Sequence, residues 1–126
     1  MTDEQTARET MSYDVVIVGG GPGGLATAIR LKQKSPDQSV ALVEKGGEIG
    51  AHILPGAVID PGGLDQLLPD WRSDGSPLVT PVTKDIFRLL TCKGSLGLPT
   101  PIMPRLMSNH GDYVGSLGAL CSWLAG

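Results

Sequence analysis

Residues 13–44 read YDVVIVGGGPGGLATAIRLKQKSPDQSVALVE, and this stretch sets an architecture that the rest of the chain has to join. The continuous apolar, β-branched run at Tyr13–Val18 predicts a strand buried on both faces of a parallel sheet. Leu25–Lys34 predicts a helix with lysines near its end, and Ser39–Glu44 predicts a second buried strand. Strand, glycine turn, helix and strand in this order predict a right-handed βαβ unit.

A glycine motif, Gly19-x-Gly21-x-x-Gly24, joins the first strand to the helix. Gly19 permits a tight turn out of the strand, Gly21 has no Cβ to block a pyrophosphate, and Gly24 permits close packing of the helix on the sheet. The helix N-terminus then offers N–H groups and the positive end of its dipole to a diphosphate. Pro22 fits the first turn, where its missing N–H costs no hydrogen bond. The motif therefore predicts a dinucleotide site, the alternative being a glycine-rich turn without a ligand.

An acidic residue stands at the end of the second predicted strand. Glu44 follows Gly24 by 20 residues, and a carboxylate at this place accepts hydrogen bonds from the hydroxyl groups of an adenosine ribose. Its charge would repel a 2′-phosphate, which disfavours NADP, although the adjacent Lys45 weakens that repulsion. The alternative is a solvated glutamate without a ligand.

The segment after Glu44 bears on the choice between NAD and FAD. A plain NAD domain usually runs from its second strand directly into another helix, whereas this chain has a long glycine-containing loop at 45–60, KGGEIGAHILPGAVID. Its stretch Ile49–Ile59 carries no formal charge when His52 is neutral. Such a loop suits a chain that runs along the ribityl and flavin part of FAD, and an ordinary flexible loop is the alternative.

Beyond this loop the pattern predicts short elements and one further helix. The helix begins after Ser116, a suitable N-cap, and Leu117, Leu120, Cys121 and Leu124 share one face of it. Its pattern stops at Gly126 without a polar tail, so we expect a truncated chain, with Gly126 as a helix C-cap as the alternative. The other predicted elements are a short helix at Pro61–Leu68, turns at Pro69–Thr83, a hairpin at Asp85–Leu98 around Lys93–Gly94–Ser95, and an irregular proline-rich segment at Leu98–Met107.

The composition excludes several classes of function. The 126 residues weigh 13.1 kDa, which suggests one small domain, and the net charge of -3 gives no electrostatic footprint for nucleic acid. Cys92 and Cys121 form no disulfide framework and are expected to be packing residues in a reducing cytosol. Residues 1–11 are polar and predict a disordered lead without the features of a secretory signal or a transit peptide.

Several longer segments carry a resemblance to a known family. VVIVGGGPGGLATAIRLKQ, VEKGGEIGAHILPGAVIDP, LLPDW, TPVTKD and NHGDYVGSLGALCSWLA together resemble the start of electron transfer flavoprotein–ubiquinone oxidoreductase, over nearly all of residues 12–125. The glycine motif is shared by many flavoproteins, whereas GAHIL-x-GAVIDP, LLPDW and NHG-x-Y are more specific. Geranylgeranyl-reductase-like flavoproteins, which share the fold and the first motif, are the nearest confusable relatives.

The resemblance implies an FAD enzyme that takes electrons from reduced electron transfer flavoprotein and passes them to ubiquinone at a membrane surface. It also implies a 4Fe–4S cluster, which needs four cysteine thiolates, whereas this chain has two cysteines. We therefore expect an N-terminal fragment, with the cluster in a missing C-terminal region. The implied fold class is α/β, an incomplete Rossmann-like FAD-binding βαβ unit of a glutathione-reductase-type flavoprotein. Residues 12–126 would be the N-terminal part of its FAD-binding domain.

The resemblance also assigns cofactor contacts to matching positions, without a catalytic residue or a metal ligand in this chain. Pro55 stands where the family has serine, which removes a hydroxyl donor from one flavin contact, and Asp112 stands where the family usually has asparagine. His52 lies in an apolar stretch, where a buried imidazole is expected in preference to a role near the flavin. The implied cofactor residues are Gly19, Gly21, Pro22, Gly23 and Gly24 for the diphosphate, Glu44 with its neighbour Lys45 for the ribose, and Gly50, Ala51, His52 and Gly56 near the flavin.

One segment suggests contact with a membrane. Leu96–Met107, LGLPTPIMPRLM, combines apolar side chains with prolines that prevent sheet pairing, and a loop of this kind can enter a bilayer interface. Ile49–Leu68 is a second candidate, and burial under missing domains is the alternative for both. The resemblance implies a peripheral membrane protein with electron transfer flavoprotein and ubiquinone as partners. Because the first residues lack the character of a presequence, we expect the cytoplasmic side of a bacterial inner membrane. The competing functions are another FAD- or NAD-dependent oxidoreductase and a non-catalytic, truncated nucleotide-binding fragment.

Overall fold

A computed structural model describes residues 10–99 and 103–126 of the chain. Most of the predicted disordered lead, residues 1–9, and part of the predicted proline-rich segment, residues 100–102, lie outside the described residues. The architecture is mixed α/β, and the described strands form three separate small sheets. In chain order the elements are β1 (Val15–Val18), α1 (Pro22–Lys34), β2 (Val40–Val43), β3 (Ala57–Ile59), α2 (Gly62–Leu67), β4 (Thr80–Pro81), β5 (Phe87–Thr91), β6 (Gly94–Leu98), β7 (Tyr113–Gly115) and α3 (Leu117–Ala125).

The predicted βαβ unit is formed by the first three elements. β1 and β2 pair in parallel through all four residues of each strand, and α1 connects them. A side chain joins the starts of the strands as well, since the Asp14 carboxylate accepts hydrogen bonds from the N–H (2.8 Å) and the hydroxyl (2.7 Å) of Ser39. α1 begins at Pro22, earlier than predicted, because the glycines that follow it are already helical. The incomplete Rossmann-like unit is therefore confirmed.

The burial of these strands differs from the prediction of two buried faces. Val15 and Ile17 of β1 are half-buried, but Val16 is 56% exposed and Val18 is 84% exposed. Successive side chains of a strand point to opposite faces, and α1 packs against one face of this two-stranded sheet. The expectation of burial on both faces is wrong for the described residues.

A short antiparallel sheet occupies part of the segment that the sequence predicts to be a loop. β3 lies within residues 45–60, pairs with β7, and β7 pairs in turn with β4. Each of these strands has only two or three residues, which is too short for a recognisable alternation of apolar and polar side chains. β4 contains Pro81 and lies at an edge of the sheet, where a proline is tolerated. The loop assignment is therefore corrected at 57–59.

A cluster of buried side chains joins helices α2 and α3 to this sheet. Leu64, Trp71, Leu78 and Leu120 form a buried cluster, in which Trp71 is only 1% exposed. The indole Nε1 of Trp71 donates a hydrogen bond to Asp65 over 2.8 Å, so its polar atom is satisfied within the core. The predicted helix at 61–68 is confirmed as α2. Partly buried residues around the cluster are Ile59, Leu68, Tyr113, Leu117, Trp123 and Leu124.

The predicted hairpin at 85–98 is confirmed as β5 and β6, which pair in antiparallel fashion over five residues each. Residues 96–98 belong to β6. The expectation that prolines prevent sheet pairing in Leu96–Met107 is therefore wrong for its first three residues. Cys92 lies at the exposed tip of the hairpin, so the prediction that it is a packing residue is wrong.

Helix α3 has the cap and the buried face that its sequence predicts. The Ser116 hydroxyl accepts a hydrogen bond from a first-turn N–H over 3.2 Å. Leu120 and Cys121 are buried, and Leu117 and Leu124 are half-buried. Because α3 also packs against α1, it joins the βαβ unit to the second half of the chain.

Candidate dinucleotide site

The turn between β1 and α1 has the geometry that its glycines predict. Gly19 has a φ of 106°, a conformation that L side chains rarely adopt, and its N–H donates to the Val43 carbonyl over 2.7 Å. A Cβ on Gly24 would lie 2.0 Å from the Gly19 carbonyl oxygen, a distance that no side chain tolerates. Gly19 thus turns the chain, and Gly24 allows the helix to lie directly against that turn.

The N-terminal turn of α1 presents an open backbone surface. Gly21 is the N-cap and Pro22 follows it, with no side-chain cap and no acidic residue in the first turn. A Cβ on Gly21 or Gly23 would meet no atom within 4 Å. The first N–H groups of a helix have no intrahelical partner, and with the helix dipole they attract an anion. This cradle therefore fits the diphosphate of a dinucleotide.

The Glu44 carboxylate bridges two glycine-containing loops. One oxygen accepts the N–H of Gly20 over 2.6 Å, and the other accepts the N–H of Gly46 over 2.7 Å. These two hydrogen bonds, that of Gly46 first, hold the pKa of Glu44 below its ordinary value of 4.5, although its partial burial acts in the opposite direction. The carboxylate is therefore ionised at neutral pH, and its oxygens keep lone-pair capacity for further donors such as ribose hydroxyls.

The other residues predicted to contact the cofactor lie along the loop that follows Glu44. Gly50 and Gly56 have φ values of 87° and 85°, so both turns depend on glycine. Lys45 and Ala51 are exposed on the same loop. In the structure Glu44 therefore contacts the glycine turn, and the remaining predicted residues lie along the adjacent loop.

His52 departs from its predicted environment. We expect a buried imidazole from the apolar sequence around it, but the side chain is exposed. The ring lies beside Gly46, where a Cβ would be 3.2 Å from Nδ1 and Cε1, and its charge contributes to the lowered pKa of Glu44. The reason is that this loop lies on the surface, so an uncharged sequence does not imply a buried side chain.

Helix α3 makes a close contact with the same loop. The Ser122 hydroxyl donates to the Ile49 carbonyl over 2.9 Å. A Cβ on Gly50 would lie 2.6 Å from the Gly118 carbonyl oxygen, and a Cβ on Gly118 would lie 3.0 Å from the Gly50 carbonyl oxygen. Neither Gly118 nor Ser122 is among the residues predicted from the sequence. Their spacing of four residues, which puts two small side chains on one face of a helix, is the signal that could have identified them.

In residues 10–99 and 103–126, no three His, Cys, Asp or Glu side chains are grouped so that they could hold a metal ion. Cys121 is fully buried, and desolvation raises the pKa of its thiol.

Comparisons with known proteins agree with the Rossmann-like fold and with the resemblance of the sequence motifs. A family model described as an NAD(P)-binding Rossmann-like domain matches residues 17–74. The chain is 54% identical over 125 residues to the mitochondrial electron transfer flavoprotein-ubiquinone oxidoreductase of Dictyostelium discoideum, which covers 96% of this chain and 20% of that protein. The Pseudomonas aeruginosa protein of the same name is 52% identical over 123 residues, with coverage of 94% and 22%. The Homo sapiens mitochondrial protein is 53% identical over 116 residues, with coverage of 88% and 18%.

These relatives are much longer than the chain. The chain spans about a fifth of the length of the curated relatives it matches. The matched relatives are named as oxidoreductases, in bacteria and in mitochondria alike. Over nearly its whole length the chain is thus a homologue of one part of the electron transfer flavoprotein–ubiquinone oxidoreductases, as its sequence motifs predict, and it begins with a Rossmann-like nucleotide-binding unit.

Proposed function

We propose that this chain is the FAD-binding part of an oxidoreductase that passes electrons from reduced electron transfer flavoprotein to ubiquinone at a membrane surface. The observation that carries the proposal is the junction of two glycine-containing loops at Glu44, beside the open N-terminus of α1. The names of the relatives supply the reaction, the donor and the acceptor. The parent enzyme would be an electron-transferring-flavoprotein dehydrogenase.

Each part of the proposed site has a separate role in binding. The turn Gly19–Gly24 holds the diphosphate through backbone N–H groups, and Glu44 accepts hydrogen bonds from the adenosine ribose. The negative charge of Glu44 repels a 2′-phosphate, which favours a dinucleotide with a free 2′-hydroxyl. The loop Lys45–Gly56 runs along the ribityl and flavin part. Bound FAD supplies the electron-carrying chemistry, so this chain needs no catalytic acid or base of its own.

The iron–sulfur cluster is assigned outside this chain. A 4Fe–4S cluster takes four cysteine thiolates, and the chain has two cysteines. We assign the cluster to the part of the longer relatives that this chain does not span. We expect the isolated chain to bind FAD without turnover, because it contains no complete electron path.

The hairpin β5–β6 is the proposed contact with the membrane. Its register puts four apolar side chains on one face, where Leu89 and Leu96 pair across the strands and are 55% and 62% exposed. On the opposite face the Arg88 guanidinium donates to the Ser95 hydroxyl over 3.2 Å. We propose peripheral attachment through the apolar face, on the cytoplasmic side of a bacterial inner membrane. The four apolar side chains are Phe87, Leu89, Leu96 and Leu98.

The two segments predicted to contact the membrane differ in the exposure of their apolar side chains. Leu106, in the segment predicted at 96–107, is also 99% exposed. The second candidate, Ile49–Leu68, fits less well, because Leu64 belongs to the buried cluster. None of the helices in the described parts of the chain has the length and apolar character that a bilayer crossing requires.

The proposal is tested by nucleotide binding to the purified chain, measured by calorimetry and by quenching of flavin fluorescence. We expect FAD and ADP to bind, and 2′-phospho-ADP to bind at least about tenfold more weakly because of the Glu44 charge. Gly21→Ala should weaken FAD and ADP binding by a similar factor, because its Cβ would project from the open backbone surface. Gly63→Ala in α2 is the matched control, since its Cβ also meets no atom within 4 Å.

A folded chain that binds neither FAD nor ADP would contradict the proposal and favour a non-catalytic fragment. Binding of NAD with no binding of FAD would favour a different dinucleotide-dependent oxidoreductase. Equal weakening by Gly21→Ala and Gly63→Ala would show that the glycine turn is not the binding surface.

A further inference from the structure

Helix α3 and the loop after Glu44, which are far apart in the chain, make a close backbone contact. Gly118 lies on α3 and Gly50 lies on the loop, and a Cβ on Gly50 would come within 3.1 Å of the Gly118 Cα as well as 2.6 Å of its carbonyl oxygen. One turn further along α3, the Ser122 hydroxyl donates to the Ile49 carbonyl over 2.9 Å. The loop is thus held by close packing at Gly50 and by a hydrogen bond at Ile49.

The loop has few bonds of its own. Among the backbone hydrogen bonds between its own residues, the Ile53 N–H donates to the Gly50 carbonyl over 3.1 Å, and the Ala51 N–H donates to the Glu48 carbonyl over 3.4 Å. A loop with so little internal support loses conformational entropy when it must adopt one shape. The conformation around Gly50 therefore depends on the helix that packs against it.

The same loop residues also contact the glycine turn. Ile49 packs on the backbone of Gly20, where a Cβ would lie 3.0 Å from the Ile49 Cγ1. Gly20 in turn donates to Glu44. Ile49 is therefore held on one side by Ser122 of α3 and packs on its other side against the glycine turn.

We propose that α3 is a positioning element for the cofactor site, with Gly118 and Ser122 as positioning residues that hold the loop Ile49–Ile53 in the shape that receives the flavin half of FAD. The proposal rests on the proposed function, because it assumes that the dinucleotide is FAD. Preorganising a loop strengthens binding by removing the entropy cost of ordering it at the moment of binding. The adenosine diphosphate half contacts the glycine turn instead, so its affinity should depend little on α3.

The test separates positioning from general destabilisation by comparing two ligands on the whole chain. Ser122→Ala should lower FAD affinity by about tenfold, the scale of one lost hydrogen bond at a preorganised loop, and leave ADP affinity unchanged. Ser122→Thr keeps the hydroxyl and should restore FAD affinity. Ser73→Ala is the matched control, because it removes a hydroxyl that also bonds to a backbone carbonyl, that of Asp70, on the surface.

A second variant addresses the steric contact. Gly118→Ala adds a Cβ that would lie 3.0 Å from the Gly50 carbonyl oxygen, while it raises the helix propensity of α3. We expect weaker FAD binding with unchanged ADP binding, and the helical control Gly63→Ala should change neither. In the same variants, amide hydrogen exchange of Ile53 should become faster without added nucleotide, because the loop has lost its support.

The outcomes distinguish the two proposals. Equal losses of FAD and ADP affinity in Ser122→Ala would show a merely structural role and overturn the inference, as would an unchanged FAD affinity with unchanged exchange of Ile53. A wild-type chain that binds ADP and gains nothing from the flavin half would overturn the proposed function. Faster exchange of Ile53 in that case would still show that α3 orders the loop.

Discussion

At Gly24 the strand-to-helix turn leaves no room for a side chain, while at Gly23 the space around the backbone is open. A Cβ on Gly24 would lie 2.0 Å from the Gly19 carbonyl oxygen, whereas a Cβ on Gly23 would meet no atom within 4 Å. The roles of Gly19 and Gly24 follow from the motif, because its spacing specifies a turn and a close packing contact. The environment of Gly118 does not follow from any sequence motif, because Gly50, which contacts it, is distant in the chain.

The two glycines give a test at the scale of single residues. Gly24→Ala should lower the free energy of unfolding by about 1–3 kcal/mol, because the backbone must shift to admit the Cβ. Gly23→Ala should leave it unchanged or raise it by up to about 1 kcal/mol, because alanine is the better helix former. Urea unfolding followed by circular dichroism measures both. Similar unfolding midpoints for the two variants would contradict the close contact at Gly24.

The secondary-structure elements divide into those with a local pattern and those without one. α1, α3 and the hairpin β5–β6 follow from apolar spacing, a cap or a turn within the element itself. The three-stranded sheet could not be predicted, because β3 and β4 are very short and both pair with β7, which comes far later in the chain. Pairing of this kind is decided by the packing of the whole second half.

The exposed apolar face of the hairpin β5–β6 predicts binding to lipid vesicles. We expect the chain to float with neutral phosphatidylcholine vesicles, and the double variant Leu89→Glu/Leu96→Glu to lose most of this binding. Burial of each leucine in a membrane interface contributes about 1.5–3 kcal/mol, and a carboxylate there opposes burial. Neutral vesicles are chosen because the chain has a net charge of -3, so that charge attraction does not contribute.

Leu90→Glu is the matched control for this hairpin. Leu90 is 76% exposed and pairs with Ser95 on the opposite face, so the variant adds a charge to the same strand without altering the apolar face. Flotation should largely survive in Leu90→Glu. Equal loss in both variants, or no flotation of the wild-type chain, would contradict membrane contact through that face.

For the whole molecule, the buried cluster around Trp71 lies in the second half of the chain and the proposed nucleotide site lies in the first. The buried cluster of Leu64, Trp71, Leu78 and Leu120 is formed by α2, α3 and the intervening segment, while Val16 and Val18 of β1 are exposed. The contacts of α3 with α1 connect the two halves. The stability of the nucleotide site therefore depends on a helix that contributes nothing to its motif.

Four carboxylates make the stability of the whole chain sensitive to acid. Hydrogen bonds lower the pKa values of Asp14, Glu44, Asp65 and Asp85 from ordinary values of 3.8 or 4.5. Because the folded-state pKa values are the lower ones, the unfolded chain binds more protons as pH falls. The stabilisation that these carboxylates contribute is complete at pH values above their ordinary pKa values. It is lost as the pH drops through their folded-state pKa values. We expect the urea midpoint to fall steadily between about pH 5 and pH 3.

Asp65→Asn should make this pH dependence shallower and lower stability at pH 7, because the Asp65 carboxylate accepts from Trp71 and pairs with Arg72 over 2.5 Å. Asp37→Asn, which removes an exposed carboxylate at the turn after α1, is the control for the loss of one negative charge. A urea midpoint that is constant across this range would contradict the proposed contribution of the four carboxylates.

The amino-acid pattern alone was sufficient for the βαβ unit, the glycine turn, the hairpin and the capped last helix. Each of these depends on side chains within a few residues of one another, where spacing translates directly into geometry. Only the tertiary structure could show the three-stranded sheet, the exposed His52 and the contact of Gly50 with Gly118. These features depend on contacts between segments far apart in the chain, and such contacts leave no periodic trace in either segment.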